Sequence, residues 1–189
     1  MTNRYTQIGY CMELRLEWLE YTANLLLADN DGGDISEALD ALLADTISVG
    51  SDSARSQRDK TITLLTKIWV NVPAELQSLR NSALEMMTQL PNEKHMPLHL
   101  GMCMAAYPFI KAVAEHTGRL LALQGSARSS QIQRRIQETY GQRERVQQAI
   151  RRTIATFMDW VILERQSSRV PARRCIDDLL WFIEATTHH

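Results

Sequence analysis

Residues 129–160 read SSQIQRRIQETY, then GQR, then ERVQQAIRRTIATFMDW. In the first block Ile132, Ile136 and Tyr140 recur every four residues, the spacing of one helical face. Gly141 follows, a residue free to take the backbone of a tight turn. In the last block Val146, Ala149, Ile150, Thr153, Ile154, Phe157 and Trp160 return at helical spacing. A short helix capped by Ser129 or Ser130, a glycine turn and a longer helix give a helix-turn-helix order. With Val146, Ile150 and Phe157 turned inward, about 100° per residue brings Glu144, Gln148, Arg151, Arg152, Ala155 and Asp159 to the opposite side. Arg145 falls on the flank of that side.

Charge sharpens the pattern. Twelve arginines and no lysine lie between Arg119 and Arg174, against four acids, a balance of +8. Residues 1–118 carry −6 and the tail from Cys175 carries −3, so the net −1 of the chain hides a basic third. Such asymmetry points to a polyanion. Arginine, with its planar fork, suits phosphates and guanine edges better than lysine does.

Working outward, the apolar spacing stays helical. A first helix is expected from about Tyr10 to Ala28 and a second from an N-cap at Asp34. A third stripe runs from Ile62 to Val72. A fourth helix has Pro73 in its first turn and is closed by Pro91. Pro97 should start a further helix, broken at Tyr107-Pro108 and stopped by Gly125-Ser126. Beyond the quoted stretch, Val161-Ile162-Leu163 is expected as a short strand and 164–169 as a hairpin tip, making a wing; Cys175 to Ala185 is a final helix. The fold class is therefore mainly α: a helical N-terminal bundle over residues 1–95, then a winged helix-turn-helix-like domain over 96–189.

The bulk numbers exclude much. At 189 residues and 44% hydrophobic the chain can bury a core. No apolar run approaches the ~18 residues of a membrane span, and Cys11, Cys103 and Cys175 are too few and too scattered for a disulfide framework. A cytoplasmic, soluble protein is expected. Asp29, Asp31, Asp34 and Asp40 fail as a calcium loop, because Asp34 falls where glycine is needed and Asp40 where a bidentate Glu is needed. His95, His99 and Cys103 are spaced by four, but Pro97 leaves His95 outside the helix, so no metal site and no cofactor is expected. Glu13, Glu17 and Glu20 look like a solvated face. The tryptophans Trp18, Trp69, Trp160 and Trp181 read as core anchors. No Walker loop, nucleophile elbow or zinc-protease motif is present, and no enzyme activity is expected.

Five runs carry a family resemblance. They are Tyr107-Pro108-Phe109, Gly118 through Gln124, Arg134-Arg135-Ile136, Tyr140-Gly141 and Asp159-Trp160-Val161-Ile162-Leu163. Over roughly residues 104 to 166 they resemble the C-terminal part of the small helical accessory proteins of BREX phage-defence systems (BrxA-like). The resemblance implies DNA binding, with Arg145, Gln148, Arg151 and Arg152 as carried-over contacts. One departure stands out: related winged helices often have glycine after the Asp-Trp pair, where this chain has Val161. A β-branched residue disfavours positive φ, so a different turn into the wing is expected.

The expected function is non-enzymatic binding of duplex DNA within a bacterial phage-defence system, with other defence proteins as further partners. The expected contacts are Arg134, Arg143, Arg145, Gln148, Arg151 and Arg152, with Arg165 and Arg169 on the wing. The alternatives are a protein adaptor docking through Phe109, Trp160 and Trp181, and a winged-helix repressor.

Overall fold

The computed structural model describes residues 9, 12–47 and 52–164. Apart from one 3₁₀ turn, every regular element among them is an α-helix: α1 (Leu16–Leu27), α2 (Gly32–Thr46), α3 (Asp52–Trp69), α4 (Ala74–Gln89), α5 (Met96–Ala106), α6 (Pro108–Gln124), α7 (Ser129–Tyr140) and α8 (Glu144–Asp159). The chain is thus mainly α, and among the described residues no helix is long and apolar enough to cross a membrane. Two compact units emerge: Leu14–Met102, and the described residues from Cys103 on with the few before Leu14. The division falls inside α5.

In the first unit α1, α2 and α3 pack on one another. Leu19, Ala23, Ile35, Leu39, Leu43, Leu65, Ile68 and Trp69 form its sealed core. The buried Thr22 hydroxyl donates to the carbonyl of Trp18 at 2.6 Å, so it leaves no unmet polar group in the core. Helix boundaries shift from the expected ones for local reasons. α1 begins at Leu16 rather than near Tyr10. The cap of α2 is Asp31, not Asp34: its carboxylate accepts from the amides of Gly33 at 2.7 Å and Asp34 at 2.9 Å. Those two bonds hold the Asp31 carboxyl below its ordinary range. Pro73 is the N-cap residue of α4 rather than part of its first turn. α3 begins at Asp52, ten residues before the expected stripe from Ile62.

The carboxylate row on α1 is not uniformly solvated, contrary to the sequence expectation. Glu20 accepts from His95 Nδ1 at 3.0 Å and from His99 Nε2 at 2.7 Å, across 75 and 79 residues of chain. His95 Nε2 lies 3.0 Å from the Leu90 carbonyl oxygen. Both histidines are buried. Partial burial alone would raise the Glu20 carboxyl, but the opposing effects, led by the hydrogen bonds of His99 and His95, outweigh it and hold Glu20 at about 2. Cys103, spaced four residues on, is a free buried thiol whose burial pushes its pKa up.

Because the Glu20 pKa falls on folding, its contribution to stability is complete above 4.5 and is lost as the pH drops toward about 2. Replacing Glu20 by Gln removes the charged acceptor from two buried donors. Denaturant unfolding at neutral pH should show a loss on the order of 2 kcal/mol, and the variant should lose the corresponding part of the acid-induced transition. An unchanged midpoint would contradict this role.

Candidate nucleic-acid interface

The second unit is built on α6, α7 and α8, each packed on the other two. Proline fixes the entry: Tyr107 is extended, with φ −128° and ψ 93°, and Pro108 opens α6, as the residue pair predicts. Phe109, Ile110, Val113 and Thr117 of α6 are buried, as are Ile132, Ile136 and Tyr140 of α7. The Phe109 and Tyr140 rings meet edge to face at 5.0 Å. α6 ends at Gly125, whose φ of 68° suits a residue without a Cβ. The start of α7 differs from expectation. Arg128 is the N-cap residue, and its amide donates to the Gln131 side chain at 3.0 Å, in place of a Ser129 or Ser130 cap.

A three-residue turn, Gly141 to Arg143, joins α7 to α8, with Gly141 at φ 83°. The inward side of α8 is as the spacing predicts: Val146, Ala149, Ile150, Thr153, Ile154 and Phe157 are all buried. Burying an Ile or Phe side chain stabilises by roughly 1.5–3 kcal/mol, so the rotation of α8 about its axis is firmly set. Its opposite side is thereby forced outward. Arg145, Gln148 and Arg151 are exposed, while Arg152 is half-buried and engaged by another group of the chain.

The other predicted contacts divide. Arg134 is exposed on α7 and pairs with Glu138 at 3.7 Å; Arg135, which the sequence did not assign to the site, pairs with the same carboxylate at 3.3 Å. Exposed pairs of this kind hold weakly and are screened by salt. Arg143 is exposed, and its guanidinium donates to the Tyr140 carbonyl at 3.4 Å, against the C-terminal end of α7. Gln148 donates to Glu144 at 3.4 Å. Arg128, also unassigned from sequence, is exposed at the head of α7. Arg165, Arg169 and the expected final helix lie outside the described residues.

The expected strand at Val161-Ile162-Leu163 is not formed. Val161 takes φ 58°, its amide donates to Met158 O at 3.1 Å, and the Ile162 amide donates to Phe157 O at 2.9 Å. These are the paired bonds of a Schellman cap, with buried Ile162 closing on the last turn of α8. α1 ends the same way, with Asp29 at φ 61° and the Asn30 amide on Leu25 O. Aspartate tolerates that conformation far better than valine does. The turn thus keeps the positive φ that glycine usually provides, despite Val161, because the cap bonds and the Ile162 contact outweigh the strain.

Comparison with protein-family models, with curated proteins and with solved structures gave no significant match.

A left-handed valine that is also 65% exposed is a local cost with little packing in return. Val161→Gly should therefore raise the stability of the protein by about 1 kcal/mol, read as a higher midpoint in urea. A lowered midpoint would mean that the valine side chain makes a stabilising contact.

Proposed function

We propose that this protein binds duplex DNA without catalysing a reaction, with α8 entering a groove as the second helix of a helix-turn-helix. The observation that carries this is the outward side of α8. Arg145, Gln148 and Arg151 project from one rigid helix whose other side is locked in the core. Arginine and glutamine there offer forked donors to base edges. Arg128, Arg134 and Arg135 on and before α7 extend the positive surface toward the phosphates. Over residues 128–159 seven arginines stand against three acids. The resemblance to BREX accessory proteins adds a setting, a bacterial phage-defence complex, in which other defence proteins would be partners. Arg165 and Arg169 would extend the contact on the C-terminal side.

The adaptor alternative is weakened by burial. Phe109 and Trp160 are 0% and 5% exposed, so neither offers the docking surface that alternative required.

If about six phosphates are neutralised, log K should fall with log salt at a slope of about −5, measured by gel shift or fluorescence anisotropy on a duplex of arbitrary sequence. Arg145→Glu with Arg151→Glu should remove that salt-dependent binding while leaving the helical circular dichroism spectrum intact. Binding that survives the double substitution would reject α8 as the contact. Glu138→Gln should do the opposite. Freeing Arg134 and Arg135 from their shared carboxylate should tighten binding a few-fold at low salt, with a smaller gain at high salt.

A further inference from the structure

The cluster of Glu20, His95 and His99 lies in the first unit, apart from the arginine helices. Its hydrogen bonds fix where protons must be. An ionised carboxylate and a backbone carbonyl can only accept. His95 presents Nδ1 to Glu20 and Nε2 to Leu90 O, so only a ring protonated on both nitrogens satisfies both contacts. His99 needs just one proton, on Nε2, to donate to Glu20. Its Nδ1 is buried and has no partner among the described residues. The nearest ring is Trp69 of α3, edge-on at 5.4 Å, and the indole Nε1, which can only donate, is buried and unpartnered as well.

We propose that Glu20, His95 and His99 form a proton-gated clasp. His99 grips Glu20 as a neutral ring, and a proton added at its buried Nδ1 opens the clasp and frees α1 from the start of α5. The added proton would create a second N–H at a buried position where no described residue supplies an acceptor. The charged groups facing His99 are Glu20 from α1, which favours the cation, and His95 from the end of the 3₁₀ turn before α5, which opposes it; α3 presents the neutral Trp69 ring. Burial outweighs the pull of Glu20, which keeps His99 below the ordinary imidazole range. The unfolded chain therefore takes up this proton first as the pH falls, and acid shifts the balance toward opening. Glu20 itself stays ionised through that range, since its pKa is held at about 2.

Long-range proton–nitrogen NMR spectra of the full chain near neutral pH should show His99 protonated at Nε2 alone. A His99 carrying its single proton at Nδ1, or carrying two, overturns the clasp. His99→Gln keeps a neutral donor toward Glu20 and cannot take the proton. Between about pH 7 and pH 5 the unfolding constant of the wild-type chain should rise more steeply than that of the variant, by up to about tenfold per pH unit; equal slopes overturn the proposal. Should the variant fail to fold, hydrogen exchange of the wild-type chain decides. α1 amides should lose protection in step with His99 protonation, and protonation with α1 protection intact refutes the gating.

Discussion

Burial of one side of α8 against α6 and α7 is the constraint on which the exposed arginine surface depends. Val146, Ile150 and Phe157 leave almost no freedom for the helix to rotate. A rotation large enough to bring Arg145 and Arg151 inward would expose several large apolar side chains and bury two guanidinium groups. Each side of that exchange costs more than a domain of this size has in reserve. The positive surface is therefore a consequence of packing: the core decides where the arginines point, and the arginines only populate what is left.

The two ends of this helix are held by different chemistry. At its start the turn is short and glycine-led, and Arg143 reaches back to the C-terminal carbonyl of α7, where a positive charge is favoured. At its finish a Schellman cap forms around a valine. The cap satisfies carbonyls that would otherwise be orphaned at the helix end, and Ile162 is buried beside it. That combination explains how a residue so unsuited to positive φ is retained in the conformation.

In the first unit the corresponding organising contact is polar. Glu20 joins α1 to the start of α5 through two buried imidazoles. A partly buried carboxylate is best tolerated when its lone pairs are met, and a hydrogen-bond network of this kind specifies a single arrangement where apolar packing would permit several. The acidic first unit thus adds a polar network to its apolar core, while the arginine-bearing second unit is ordered by the apolar side of α8. Salt would screen the exposed charges of the second unit far more than the buried contacts of the first.

Periodicity alone made the helices legible, because a 3.6-residue repeat of apolar side chains is a local property that each segment carries by itself. Tyr107-Pro108, Gly125 and Gly141 were legible for the same reason: their backbone restrictions act within a few residues. Gln148 and Arg151 on the outward side, with Arg145 on its flank, followed from the inward set by simple geometry, whereas Arg152, read into the same side, is half-buried. What the sequence could not show was which side chains meet across the chain. Glu20 looked like its neighbours Glu13 and Glu17 because nothing within α1 distinguishes it; its partners lie 75 and 79 residues away. The pairing of Arg134 and Arg135 with Glu138 was within helical reach, yet their rotamers had to be seen. The end of α8 was misread as a strand because Val-Ile-Leu has strand propensity, whereas hydrogen bonds to Phe157 and Met158 decide its conformation. Local spacing fixes the elements and their faces; three-dimensional proximity alone decides which charges are spent on each other and which remain to meet a partner.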